Sequence, residues 1–223
     1  MSASSDERVI GMDFAQQTAL VTGAASGMGR LTSEKLAEQG ANVVVVDVNP
    51  EAAEAVATAI RTAGGEALAV VADVRDYAQV QAAVDRALDA YDAVDILVNC
   101  AGGAAVRVWG RSESWPELPL EVIDWGIDVN FRGPIYFARA VIGHMIARGR
   151  GVIINLGSVE GITGSGAVEY GAAKSGMIGL TKSLALLGAP HGVRACCVSP
   201  GPVLTRPAMA HMKTRLGRAA EPI

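Results

Sequence analysis

Tyr170 and Lys174 stand four residues apart in Tyr-Gly-Ala-Ala-Lys. On a helix that spacing puts both side chains on one side, one turn apart. A phenol beside an ammonium can give and take a proton near neutral pH. An unperturbed tyrosine has a pKa of about 10. A positive charge about 4 Å away, at an effective dielectric of about 20, favours the phenolate by about 4 kcal/mol, or roughly three pKa units. The pair therefore predicts a tyrosine drawn by its lysine toward neutrality, where general acid–base catalysis is most effective. Such pairs are also common as plain surface contacts, so the reading depends on what precedes them.

Upstream, Thr22-Gly23-Ala-Ala-Ser26-Gly27-Met28-Gly29 follows a short apolar run, Thr18 to Thr22, and opens a helical pattern. Glycines there permit a tight turn and let backbone N–H groups approach a pyrophosphate at a helix N-terminus. Asp47 closes the next apolar run eighteen residues after Gly29. An acid at that place can hydrogen-bond a ribose 2′-hydroxyl. The complete strand, turn, helix, strand and acid order points to dinucleotide binding.

The elements that must hold these residues alternate. A helix is predicted from Met28 to Gln39, with Met28, Leu31 and Leu36 on one side and Gly40 as its stop. Val43 to Val46 reads as a buried strand, and Asn49-Pro50 as the N-cap and first position of a helix with Val56 and Ile60 inside. Gly64-Gly65 ends it. Ala67 to Ala72 is strand-like. Val80, Val84, Leu88 and Tyr91 have helical spacing, and Asp95 to Asn99 is a further strand. A glycine-rich turn, Cys100 to Gly103, leads into an irregular stretch reaching Pro119. A helical region from about Leu120 to Arg148 is bent near Asn130 to Pro134, since proline cannot donate a backbone hydrogen bond. Gly151 to Leu156 is a strand, and a glycine-rich loop follows Ser158. The Tyr170 helix turns Met177, Leu180, Leu184 and Leu187 inward, and Val193 to Ser199 is the sixth strand. This alternation predicts an α/β fold, a Rossmann-like doubly wound parallel sheet with helices on both faces. No linker or repeat interrupts it, so residues 1–223 read as one domain with a polar lead over 1–15.

Bulk properties agree. Half of the 223 residues are hydrophobic and only 4% aromatic, which suits a core of Val, Ile, Leu and Ala around a buried parallel sheet. A net charge of −4 argues against a nucleic-acid partner. Cys100, Cys196 and Cys197 form no disulfide framework, and His144, His191 and His211 lack metal-ligand spacing. No metal site is predicted. Neither a signal peptide nor a membrane span is visible in the sequence, so a cytoplasmic, membrane-free protein is expected.

In its motifs the chain resembles the short-chain dehydrogenase/reductase family over most of its length, from about Thr18 to Pro222. Thr-Gly-x-x-x-Gly-x-Gly at Thr22 to Gly29 is that family's glycine spacing. Asn99-Cys-Ala101-Gly102 is similar to the family's Asn-Asn-Ala-Gly turn, with Cys100 in place of the second asparagine. Asn130 matches the helix-kink asparagine, Ser158 the catalytic serine, and Tyr170 with Lys174 the catalytic pair. The gap from Ser158 to Tyr170 is twelve residues, slightly short for the family. By this resemblance Gly23, Ser26, Gly27, Met28, Gly29, Asp47 and Val48 would bind the cofactor's phosphates and ribose. Asp73 and Val74 would contact adenine, and Asn99, Ala101, Gly102, Tyr170, Lys174, Pro200, Gly201, Val203 and Thr205 would hold the remainder.

The resemblance implies reversible hydride transfer between a nicotinamide cofactor and a secondary alcohol or its ketone. Tyr170 would act as general acid–base, Lys174 would lower its pKa, Ser158 would position the substrate oxygen, and Asn130 would hold a water linking Lys174 to solvent. Asp47 favours NAD over NADP, because a carboxylate repels a 2′-phosphate and no cation occupies Ala24, Ala25 or Ser26. Arg30 is expected to turn elsewhere. Val106, Trp109, Glu160, Ile162, Val168 and Val203 would line a largely apolar pocket for a small apolar alcohol or ketone. The chain ends at Ile223, where family members continue with a helix and a seventh strand. A sheet lacking both, with 202–223 as a shortened substrate-loop region, is expected, as is a homo-oligomer (dimer or tetramer). Alternatives that stay open are an NADPH-dependent 3-oxoacyl-carrier-protein reductase, a nucleotide-sugar epimerase or dehydratase, and a catalytically silent NAD-binding regulator or scaffold.

Overall fold

The apolar runs pair into one sheet. The structure, a computed structural model, describes residues 13–111 and 113–203. Strands β1 (Thr18–Thr22), β2 (Asn42–Asp47), β3 (Glu66–Val71), β4 (Ile96–Asn99), β5 (Gly151–Leu156) and β6 (Val193–Val198) lie in the order β3-β2-β1-β4-β5-β6. All pairings are parallel. The chain builds outward from β1 to β3, then returns to place β4 on the other side of β1. Loops leaving β1 and β4 therefore diverge, and the crevice between them is where open α/β sheets bind ligands.

The described residues form eight α-helices: α1 (Gly27–Glu38), α2 (Pro50–Thr62), α3 (Tyr77–Tyr91), α4 (Ala105–Val108), α5 (Leu120–Ile127), α6 (Gly133–Arg148), α7 (Glu160–Thr163) and α8 (Val168–Gly188). Successive residues of a strand point to opposite faces. Leu20, Val44, Val46, Leu97 and Ile153 accordingly join Val80, Val84, Phe137, Val141, Met145 and Leu184 in one core. Ala19, Val21, Val43 and Val45 join Ala37, Val56 and Ile60 in another. Burial on both faces is why the central strands read as unbroken apolar runs.

Local chemistry sets the boundaries. The Asn49 side chain accepts a hydrogen bond from the Ala52 amide, capping α2 with Pro50 in its first turn. The predicted bend is a π-turn, Asp128–Arg132, joining α5 to α6. Pro134 in the first turn of α6 withholds the donor that a regular helix would use. Two predicted faces are corrected. Leu31 is exposed, because α1 turns its small residues Gly29, Ser33 and Ala37 to the sheet. Leu187 is exposed too, since α8 ends its buried stripe at Leu184 and Gly188. The stretch from Ala104 to Pro119, read as irregular, contains α4 and a 3₁₀ turn. Positions where the last helix and seventh strand were predicted to be missing lie outside the described residues.

Phe137 is fully buried beneath the return point of the sheet. Replacing it with alanine should cost about 3–5 kcal/mol in urea unfolding; a loss below about 1 kcal/mol would contradict this core assignment.

Candidate active site

One polar row crosses the sheet near the C-terminal ends of its strands. Thr22 pairs in register with Asn99, Asn99 with Asn155, and Asn155 with Cys197. The Thr22 hydroxyl accepts from the Cys100 and Ala101 amides, both at 3.1 Å, and so holds the turn after β4 against the end of β1. Asn99 Nδ2 donates to Asn155 Oδ1 at 2.9 Å, and Asn155 Nδ2 donates to Thr181 Oγ1 at 2.9 Å. Thr22, Asn155 and Thr181 were not singled out as site residues from sequence. Thr22 showed only as the first residue of the glycine motif, Asn155 as a polar residue near the end of an apolar strand, and Thr181 as one polar residue within a helix.

Glycine is required twice where β1 feeds α1. Gly23 has φ +62°, and a Cβ there would lie 2.7 Å from the Ala101 Cα. A Cβ on Gly29 would lie 2.2 Å from the Gly23 carbonyl oxygen. Ser26 takes the N-cap position of α1 without a side-chain cap, and the first turn, with Gly27 and Met28, holds no acid. Its N–H groups are thus free of the partners that would compete with an anion. Asp47 braces this loop: Oδ2 accepts from the Ala25 amide and Oδ1 from the Asn49 amide, each at 3.0 Å. Val48 beside it is exposed. Arg30 turns away, bonded to Glu34 at 2.7 Å.

Across the crevice α8 carries Tyr170 and Lys174. Lys174 is only 4% exposed; its Nζ donates to the Leu156 carbonyl at 2.7 Å and lies 5.7 Å from the centroid of the Tyr170 ring. A Cβ on Gly102 would fall 2.5 Å from Asn130 Oδ1 and 3.4 Å from Lys174 Nζ, so the turn after β4 closes directly over the lysine. Asn130 is fully buried. Its Nδ2 donates to the Gly103 and Gly126 carbonyls, and its Oδ1 accepts from the Gly103 amide. Both amide hydrogens are spent on backbone. The side chain thereby clamps the π-turn to the turn after β4. Ser158 is buried, its hydroxyl accepting from the Glu160 amide at 3.1 Å. The Val159 amide donates to the Pro200 carbonyl at 3.1 Å, which draws the Pro200–Val203 segment beside the Ser158 loop.

The electrostatics differ from the sequence expectation. Burial pushes the Tyr170 phenol up, opposed by a hydrogen bond from Ser158; Glu160 pushes it further up and Arg107 pulls it down. The net direction is thus up, opposite to the shift predicted from sequence. The ammonium is held by the Leu156 carbonyl under the ring, and its own burial brings it down to about 8, resisted by the Cys100 and Cys197 thiols. Desolvation works against both charged forms and is the largest influence on each.

The other predicted positions are spread around this centre. Asp73 is paired with Arg75 at 2.5 Å, which holds its carboxyl below the usual range. Val74 is buried under Gly133, where a Cβ would meet it at 2.7 Å. Trp109, Ile162, Val168 and Val203 are exposed apolar side chains. Arg107, missed from sequence, is close enough to Tyr170 to act on its phenol. Thr205 lies outside the described residues. Among the described residues no group of three or more His, Cys, Asp or Glu could hold a metal, and no helix is long and apolar enough to cross a membrane.

These residues suit a nicotinamide dinucleotide. The glycine turn, the uncapped N-terminus of α1 and Asp47 supply donors and an acceptor, while the buried Asn99 Oδ1 has no protein partner.

A sequence profile of the short chain dehydrogenase family matches residues 17–215. The cis-4-hydroxycyclohexanecarboxylate dehydrogenase of Sinomonas cyclohexanicum is 40% identical over 195 residues, covering 86% of this chain and 75% of its own. The cyclohexanol dehydrogenase of Acinetobacter sp. (strain SE19) is 37% identical over 200 residues, covering 89% and 78%. The crystal structure of NAD+-bound xylitol dehydrogenase superposes with a TM-score of 0.79 at 31% identity, over 85% of this chain and 72% of that one.

The Lys174 shift makes stability depend on pH. An unfolded lysine titrates at its ordinary 10.5, the folded one at about 8. Between these values the unfolded chain binds the extra proton, so raising the pH through that window favours the folded state. Below about 8 the burial penalty is fully present. Lys174→Met should flatten the rise in unfolding free energy between pH 8 and 10.5, read by urea denaturation beside the parent protein. An identical slope in both would refute the shift.

Proposed function

The chain belongs to the short-chain dehydrogenase family, and on that premise we propose that it transfers hydride reversibly between a nicotinamide cofactor and a secondary alcohol or its ketone. The observation that carries this reading is the buried Lys174 ammonium, seated between the Leu156 carbonyl, Gly102 and the Tyr170 ring at the crevice of the sheet. When bound, the nicotinamide would supply the hydride donor or acceptor. The chain's own residues handle the substrate oxygen. Ser158 donates a hydrogen bond toward it, and Tyr170 gives up its proton when a ketone is reduced or takes one when an alcohol is oxidised.

The raised Tyr170 pKa keeps the free protein in the phenol form, which is the proton donor for reduction. Lys174, at about 8, can pass a proton on at near-neutral pH.

NAD is the proposed cofactor in preference to NADP. What supports this is the Asp47 carboxylate at the end of β2 beside the glycine loop, which would repel a 2′-phosphate, with uncharged Ala24, Ala25 and Ser26 and with Arg30 bound to Glu34. The substrate class proposed is a small, largely apolar secondary alcohol or ketone. The relatives named for cyclohexanol and hydroxycyclohexanecarboxylate support a ring alcohol.

Titrating NADH and NADPH separately, followed by nicotinamide fluorescence, should give tight NADH and weak NADPH binding. The opposite order would overturn the Asp47 argument and favour the oxoacyl reductase alternative. Tyr170→Phe should abolish cyclohexanol oxidation while leaving NADH affinity within about twofold, because only the proton-transferring group is removed. Wild-type rates in this variant would sink the mechanism. In the parent protein, oxidation should speed up and reduction slow down as pH rises from 7 toward 10, measured as initial rates in each direction.

A further inference from the structure

The hydrogen-bond chain beneath the site has a direction and an end. Asn99 Nδ2 donates to Asn155, Asn155 Nδ2 to Thr181, and the Thr181 hydroxyl to the Met177 carbonyl at 2.7 Å. Asn155 is fully buried, Asn99 2% and Thr181 7% exposed. Such groups are expensive: leaving one unpaired incurs its whole desolvation cost, whereas an apolar pair of similar shape would be close to neutral. Stability alone would be served by leucine and valine here, as elsewhere in this core. Hydrophobic contact is non-directional and lets a helix slide or tilt slightly over a sheet. A hydrogen bond between β5 and α8 does not.

Helix α8 is thus fastened to β5 at two points. Lys174 Nζ reaches the main-chain carbonyl of Leu156, and Thr181 is bonded to the side chain of Asn155, the preceding residue of the same strand. The two attachment points lie seven residues apart, about 10 Å along the helix axis. Tyr170 lies one turn beyond Lys174, about 6 Å further along. With the Thr181 anchor gone, the helix can pivot at Lys174, and a shift of about 1 Å at Thr181 would swing Tyr170 by roughly half that amount. Misplacement on this scale costs up to about 10²-fold in rate.

We propose that Asn155 and Thr181 are positioning residues, whose bond fixes the tilt of α8 on the sheet and thereby the reach of Tyr170 to the substrate oxygen. The proposal rests on Tyr170 being the proton-transferring group, as read above.

The test compares Thr181→Val, which keeps the shape and removes the hydroxyl, with Thr181→Ser, which keeps the hydroxyl. Cyclohexanol and NAD are the probes, and kcat, KM, the NADH dissociation constant and the melting temperature are the readouts. Thr181→Val should lower kcat by about tenfold with NADH affinity within about twofold, and Thr181→Ser should recover it to within about threefold. The double variant Asn155→Leu/Thr181→Val removes the amide that Thr181→Val strands but leaves Asn99 Nδ2 without its acceptor, so kcat should stay low and the melting temperature should stay below the parent's. If Thr181→Val alone folds poorly, Thr181→Ala, which removes the hydroxyl and leaves space beside the Asn155 amide, decides the question by the same kcat readout. Parent-like kcat in Thr181→Val, equal losses in Val and Ser, or parental kcat in the double variant would each overturn the proposal. If Tyr170→Phe turns over cyclohexanol at the parental rate, the fault lies in the proton-transfer reading and not in the anchor alone.

Discussion

A charged lysine amine with 4% of its surface exposed has to be accommodated by everything around it. Lys174 donates to the Leu156 carbonyl at the end of β5, and that bond requires α8 to cross the sheet at one height. An ammonium taken from water without such a partner would lose its proton or unfold its surroundings. Here burial lowers its pKa to about 8, so the lysine can change charge a little above neutral pH. The same burial keeps the neighbouring phenol protonated. The site holds two groups close to their neutral forms, and small changes of environment can move either one.

The remainder of the centre is built by backbone brought unusually close. Thr22 and Asn130 use their side chains to bind main-chain groups of the turn after β4, one from below and one from the π-turn. That turn then lies against Lys174 through Gly102, where no side chain has room. On the other side of β1, the glycine loop is held by Val46 and Asp47 of β2. Asp47 therefore has a structural task besides any contact with a ribose. The walls of the crevice are tied by polar bonds to β1, β2 and β5.

Much of this was legible in the chain. Strands buried on both faces leave continuous apolar runs, caps such as Asn49-Pro50 mark helix starts, and a proline announces a bend. The fold class and six strands followed from these patterns. Less visible were the faces of α1 and α8. Periodicity assigned Leu31 and Leu187 by hydrophobicity, yet α1 presents small residues because it must approach the glycine turn closely. The short helices α4 and α7 were invisible because one turn is too brief to show a period.

By itself, the sequence determined the order of the elements, the glycine turn with its acid, and the presence of a tyrosine and lysine one helical turn apart. Each depends on residues near one another in the chain, where steric and hydrogen-bonding rules act locally. Only the tertiary structure decided what those groups experience. Desolvation depends on what packs around a side chain from distant segments, and it reversed the predicted direction of the Tyr170 shift. The Asn130 clamp and the Asn99–Asn155–Thr181 chain likewise join residues from separate strands, helices and turns. No local pattern encodes them, because the partners meet only when the sheet assembles.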